Sequence, residues 1–331
     1  MRTRTDLEGF FKGRAVLVTG GAGFIGSHLV DALLTLGARV RVLDNLSTGH
    51  LDNLRHCLDR IEFLEGDIRD FKTCLAAVHG TACVFHQAAM ASVPRSMEFP
   101  EATMEANVQG TTNLFAACRR EGIAGVVYAS SSSVYGDSET LPKREGEEGR
   151  LLSPYAYSKK ADEDLAALFH ACFGMHFIGL RYFNVFGPRQ DPDGPYAAVL
   201  PRFFKACLSG LPPVIYGDGE QTRDFTYVGD VVTANLLAAS APDTSWNRVY
   251  NVAGGKSISV NRLAEVIMEA AGVRLAPIHE PARAGDVKHS LADIGLSERL
   301  LDFRSAFTFE QGIALSRESY SRMFAKDTSH S

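Results

Sequence analysis

Tyr155 and Lys159, four residues apart in SPYAYSK, share one face if the segment is helical, which sets an ammonium beside a phenol. A nearby cation favours a phenolate, so such a pair can exchange a proton with a hydroxyl as general acid and base. Four serines in ASSSSVYG, Ser130 to Ser133, close an apolar run and could orient the reacting oxygen. Upstream, VLVTGGAGFIGSHLV joins an apolar run to a helical pattern through Gly20, Gly23 and Gly26. A turn this tight needs glycine for backbone freedom and for close approach of a diphosphate. The helix that follows turns its free N–H groups and positive dipole end toward that anion.

Asp44 ends the second apolar run, where a carboxylate can accept hydrogen bonds from an adenosine ribose. Its charge would repel a 2′-phosphate, so the residues favour NAD over NADP. Asp67, in GDIRD after the third run, is placed to approach the adenine.

These groups need a scaffold, and the apolar pattern supplies one. Strands are predicted at 14–19, 38–44, 61–66, 81–87, 126–131 and 176–181, with helices at 25–36, 107–120 and 156–171 between them. Near-continuous apolar strands alternating with helices point to an α/β fold, a doubly wound parallel sheet covered on both faces. After Arg181 the rhythm breaks into Gly-, Pro- and Asp-rich turns through 224 and resumes from about 225 to 263. The expected division is a dinucleotide-binding domain of 1–182 with 225–263, and a smaller lobe of 183–224 with 264–331.

Composition narrows the class. The 331 residues carry 34 Lys+Arg against 39 Asp+Glu, a net charge of −5 with no long basic block, which argues against a nucleic-acid or anionic-membrane surface. A phosphate-bearing ligand must therefore be held by a few placed groups. No apolar run reaches the ~18 residues of a membrane span, and the first residues lack a signal-peptide core. Cys57, Cys74, Cys83, Cys118, Cys172 and Cys207 form no CxxC pair and read as reduced core thiols, so a cytoplasmic protein is expected. The ten histidines show no metal-ligand spacing, and His86, at a strand end, reads as structural.

Together TGGAGFIGSHL, the Asp44 strand end, HQAA at 86–89, ASSSSVYG, SPYAYSK and RYFNVFGPRQ resemble the extended short-chain dehydrogenase/reductase family over roughly residues 14–320. Within it, SVPRS (92–96), RQDPDGPYAAVLP (189–201), GDGEQTRDF (217–225) and AGDVKHSLADI (284–294) resemble nucleotide-sugar 4-epimerases, closest to the UDP-N-acetylglucosamine 4-epimerase group. The resemblance implies a Rossmann-type fold with a substrate-binding lobe. It implies Ser131, Tyr155 and Lys159 as catalytic residues, with Ser133 a second hydroxyl facing the sugar. It places NAD against Gly20, Gly23, Phe24, Ile25, Gly26, Asp44, Asn45, Ser47, Thr48, Gly49, Asp67, Ile68, Gln87, Ala88, Ala89, Tyr155, Lys159 and Tyr182. Asn184, Val199, Tyr216, Arg223, Arg283 and Asp286 match positions that grip UDP, two arginines being suited to clamp a diphosphate. Family members commonly dimerise through the helices before Arg120 and after Tyr155, so a homodimer is expected.

The expected reaction is transfer of the C4 hydride to NAD while Tyr155 takes the 4-hydroxyl proton, followed by turnover of the 4-keto sugar and return of the hydride to its other face. Nucleotide-sugar 4,6-dehydratases of this family carry an Asp-Glu pair where this chain has Ser132 and Ser133, and hydroxyls cannot replace that acid and base. UDP-glucuronate decarboxylases place a Glu in the same segment, and it is absent. Ser290 falls where epimerases restricted to glucose and galactose carry a bulky Tyr, leaving room for an N-acetyl group. UDP-GlcNAc/UDP-GalNAc is the expected substrate pair, with UDP-glucose/UDP-galactose also accepted. UDP-glucuronate, non-acetylated sugars alone, and a non-catalytic sensor of the same fold are the alternatives.

Overall fold

The predicted apolar runs are hydrophobic toward both faces and must be covered twice. A computed structural model, describing residues 2–191, 198–282 and 288–327, shows how this is done. Seven strands, β1 (Ala15–Thr19), β2 (Arg39–Asp44), β3 (Ile61–Glu65), β4 (Cys83–His86), β5 (Gly125–Ser131), β6 (His176–Tyr182) and β7 (Arg248–Val252), form one sheet in the order β7-β6-β5-β4-β1-β2-β3. Every pairing is parallel. The seventh strand, which lay within the resumed pattern after 225, pairs Val249 with Gly179 beside β6.

The N-terminal helix α1 (Arg4–Phe11), α2 (Phe24–Thr35) and the later helix Val228–Ala239 cover one face through Phe11, Leu29, Leu33 and Val231. On the other face lie α3 (Phe71–Val78), α4 (Gly110–Arg120) and α5 (Pro154–Phe173), packed around Phe115, Phe169 and Phe177. The chain leaves β1 outward to β2 and β3, then returns to β4 on the other side of β1. That reversal opens a crevice at the carboxyl ends of β1 and β4, the place where such sheets take ligands.

Local chemistry sets the register of α5. Ser153 caps its N-terminus through the Ala156 N–H, Pro154 occupies the first turn, and Gly174 ends it in the left-handed region at φ +68°. Tyr155 and Lys159 thus sit on its first two turns. The segment 105–109 just before α4 is one turn of π-helix, so the α-helix predicted from 107 begins at Gly110. This extra turn carries the buried Asn107, whose amide bonds both backbone groups of Met90 and the Ser158 hydroxyl.

A second core joins helices α6 (Val199–Leu208), α8 (Val260–Ala271) and α9 (Phe309–Asp327) around Phe186, Phe204 and Tyr320; Val228–Ala239 is α7. The expected boundary at 263 falls inside α8, whose Val260, Leu263 and Ile267 all pack in this lobe.

One buried ion pair crosses the sheet-to-helix boundary beneath the serines. The Arg181 guanidinium on β6 forks onto Glu163 of α5, Nε to Oε1 at 2.8 Å and Nη2 to Oε2 at 2.7 Å, and also pairs with Glu148. Ser130 on β5 donates to the same Glu163 Oε1 at 2.6 Å. Replacing Glu163 with Ala leaves this guanidinium short of its main partner, and chemical denaturation is expected to show a loss of about 3–5 kcal/mol. A loss below about 1 kcal/mol would show that the pair is dispensable.

Candidate active site

The crevice begins where β1 ends. Gly20 has φ +68°, and a Cβ there would lie 2.7 Å from the Ala88 backbone nitrogen. At Gly26 a Cβ would meet the Gly20 carbonyl oxygen at 2.1 Å, so no other residue fits either position. Gly23 caps α2 without a side-chain hydrogen bond, leaving the first-turn N–H groups for a ligand.

Asp44, at the end of β2, is buried and accepts from the Ala22 and Leu46 N–H groups at 2.9 Å each. Burial pushes its carboxyl above the usual range, with those two N–H bonds acting against the rise. Asp67, at the mouth of the next strand, is bonded by the Arg69 guanidinium and the Asn45 amide, which hold it down to about 2. The glycine cradle, the uncapped helix start and the Asp44 carboxylate fit the diphosphate and ribose of a nicotinamide dinucleotide.

A cavity of about 860 Å³ runs from these residues to the lobe. All eighteen positions expected to contact NAD line it, as do Ser131, Ser133, Asn184, Arg223 and Ser290. Val199 and Tyr216 do not. Val199 packs against the lobe core at the start of α6, while Tyr216 ends a short strand paired to Glu280 and lies 6.0 Å from the Arg202 guanidinium. Arg283 and Asp286 lie outside the described residues.

Within the cavity the serines differ in task. Ser131 Oγ accepts from the Ser133 hydroxyl at 3.0 Å and from its N–H at 3.2 Å. Ser130 turns inward to Glu163. Lys159 is buried, and its ammonium donates to the buried Asp162 carboxylate at 3.1 Å. The arrangement can hold a hydroxyl between Ser131 and Tyr155 with a cation one helical turn behind the phenol.

Two buried groups escaped the sequence reading. Asp162 stands three residues after Lys159, a spacing that signals a same-face pair. Asp224 has no comparable signal. Its carboxylate accepts from Gly254 N–H at 2.9 Å and Ala292 N–H at 3.1 Å, its carbonyl accepts from the Asn184 amide, and burial raises it to about 7. It thereby joins the segments that carry Asn184, Arg223 and Ser290.

Away from the cavity lining, Asp31, His56 and Cys57 place potential metal ligands within 4.8 Å of one another, but Arg189 already binds Asp31 at 2.7 Å. The six cysteines are free, and five are buried.

The doubly wound parallel sheet, the glycine cradle and the Ser131–Tyr155–Lys159 group define an extended short-chain dehydrogenase/reductase. The chain belongs to the NAD-dependent epimerase/dehydratase family, which matches residues 16–253. It is 38% identical to the UDP-glucose 4-epimerase of Mycolicibacterium smegmatis over 92% of this chain and 97% of that one. The structure of the UDP-N-acetylglucosamine 4-epimerase from Methanobrevibacter ruminantium M1, solved with UDP-N-acetylmuramic acid, is 41% identical. It matches with a TM-score of 0.90 over 95% of this chain and 100% of that one. The UDP-glucose 4-epimerase of Thermus thermophilus, solved with NAD, is 38% identical, with a TM-score of 0.83 over 92% of this chain and 98% of that one.

His86 is confined between the Thr19 hydroxyl at 2.7 Å and the Thr111 hydroxyl at 2.9 Å. Burial, and secondarily the Lys159 charge, push its imidazole down to about 3. The native state therefore holds His86 neutral while the unfolded chain protonates it below about 6.5. Its contribution to stability is complete above that pH and is lost as pH falls toward 3. Between pH 6.5 and 5, stability of the wild type is expected to fall more steeply than that of His86→Asn, by about 0.7 kcal/mol per pH unit at the upper end, rising to about 1.4 at the lower. Equal slopes in urea titrations of the two proteins would refute the assignment.

Proposed function

We propose that this protein is a UDP-sugar 4-epimerase acting on UDP-GlcNAc and UDP-GalNAc, with UDP-glucose and UDP-galactose also accepted. The observation that carries the reading is a single cavity joining the dinucleotide cradle, the Ser131–Tyr155–Lys159 group and the lobe residues Asn184, Arg223 and Ser290. NAD held against the glycine cradle and Asp44 would supply reversible hydride-acceptor chemistry at the sugar. Tyr155 removes the 4-hydroxyl proton and later restores it, with Ser131 orienting the oxygen and Lys159 favouring the phenolate.

Epimerisation requires the sugar to turn over while its nucleotide stays anchored. Arg223 and Asn184 suit the anchoring end, and Ser131, Ser132 and Ser133 leave the reacting end lined with small hydroxyls. Binding energy is thus concentrated on the part that does not react. In this reading the sheet domain holds NAD and the lobe holds UDP, including Arg283 and Asp286. Val199 and Tyr216 support the lobe around the nucleotide.

The protein is read as a cytoplasmic homodimer. Its six free thiols suit a reducing compartment, and among the described residues no helix is long and apolar enough to cross a membrane. Exposed Tyr157 and Leu168, three helical turns apart on one face of α5, suit a helix-to-helix contact.

Purified protein without added NAD is expected to convert UDP-GlcNAc to UDP-GalNAc, resolved by NMR. Conversion of UDP-glucuronate alone would retain the chemistry and overturn the sugar assignment. Ser290→Tyr should cut turnover of the N-acetylated pair at least about 10-fold and spare UDP-glucose; equal losses on both would refute the pocket. Tyr155→Phe should lower kcat by about 10²–10⁴-fold while NAD content and UDP affinity persist.

A further inference from the structure

Lys159 does not face Tyr155 alone. Its ammonium has three N–H donors, and one is committed to Asp162, a carboxylate as deeply buried as itself. Asp162 Oδ1 has no hydrogen-bond partner, one of two such buried side-chain atoms among the described residues. A buried carboxylate oxygen that no protein donor reaches is poorly compensated for its desolvation. An apolar residue in its place would avoid that cost, so space-filling does not account for it.

Asp162 is also the end of a polar chain. The Thr111 hydroxyl faces its carboxyl, His86 Nε2 lies 2.9 Å from the Thr111 oxygen, and His86 Nδ1 lies 2.7 Å from the Thr19 hydroxyl. The Ala88 N–H, beside the glycine cradle, donates to Thr19 Oγ1 at 3.3 Å. One direction orders the chain: Thr19 donates to Nδ1, and neutral His86 donates through Nε2 to Thr111, whose own hydrogen is left free on the side of Asp162. Thr19, His86, Thr111 and Asp162 are all buried. The chain holds the charge behind Lys159 away from solvent, as suits a reaction that returns its proton to the substrate.

We propose that Asp162 is a positioning residue for the acid–base step, offsetting the charge of Lys159 and so setting the pH range over which Tyr155 accepts and returns a proton. This rests on the reading of Tyr155 as the acid–base group. The charged and titratable groups facing Asp162 are Lys159 and Glu163 on its own helix, Tyr128 on β5, Arg181 on β6 through Glu163, and His86 on β4 through Thr111. Glu163 and Glu148 are both engaged by Arg181 and His86 is neutral, while the carboxylate in direct contact with the Lys159 ammonium is Asp162, at 3.1 Å. With the carboxylate removed, the full ammonium charge acts on Tyr155, the phenolate is favoured, and activity persists to lower pH.

The test compares wild type, Asp162→Asn and Thr111→Val as NAD-loaded enzymes. Two readouts are followed, kcat against pH on saturating UDP-sugar and ultraviolet difference titration of tyrosinate against Tyr155→Phe. Asp162→Asn is expected to move both midpoints down by roughly one pH unit. Thr111→Val removes a donor that favours the ionised carboxyl, leaves no charge unpaired, and should shift both midpoints the same way by less; it decides the matter if Asp162→Asn does not fold. Midpoints unmoved in a folded variant, with only stability altered, would overturn the inference and leave Asp162 a structural residue. Turnover by Tyr155→Phe within about 10-fold of wild type would overturn the acid–base reading itself, and this inference with it.

Discussion

The forked ion pair between Arg181 and Glu163 is the constraint on which the placing of Ser131, Tyr155 and Lys159 depends. It ties the end of β6 to the middle of α5, and Ser130 ties β5 to the same carboxylate. Ser131 follows Ser130 on the strand, and Tyr155 and Lys159 precede Glu163 on the helix. The distance between the serine hydroxyl and the phenol is therefore governed by charge-assisted bonds of fixed planar geometry. Buried ion pairs add little net stability compared with an apolar core, but breaking one is costly, so this one defines a position.

The cofactor end uses the opposite device. There the structure removes side chains so that backbone can approach backbone, and Gly20, Gly26 and the Ala88 nitrogen sit too close for any Cβ. A protein with net charge −5 has no surplus of cations to set against a diphosphate. The backbone N–H groups of the α2 start supply the positive end instead. On the lobe side of the cavity a cation, Arg223, joins the lining.

Between these ends lies a set of buried polar groups, each with a partner in a different segment. Asp224 holds the loop at Gly254 and the segment at Ala292, and Asn251 reaches the carbonyls of Lys143 and Asp293. Such networks specify one arrangement because a half-satisfied alternative leaves desolvated groups unpaired. They hold Ser290 and Arg223 on one wall although 67 residues separate them in sequence. His86, read from sequence as structural, belongs to this set, and its environment between two hydroxyls agrees with that reading.

What the sequence by itself determined is what short-range geometry controls. The apolar runs, the glycine turn, the Ser153–Pro154 helix start and the four-residue spacing of Tyr155 and Lys159 are each encoded within about a dozen residues, so the sheet, the glycine turn and the shared helix of Tyr155 and Lys159 were legible. The extra turn of π-helix at 105–109 was not, since it answers to the Met90 backbone and the Ser158 hydroxyl. Tertiary structure alone decided that Val199 and Tyr216 stand away from the cavity while Asn184 and Ser290 meet in it. It also decided that Asp224 is buried and that one oxygen of Asp162 goes unanswered. The physical reason is that burial, and the partner that answers it, come from distant segments, whereas periodicity records only which way a side chain leaves its own element.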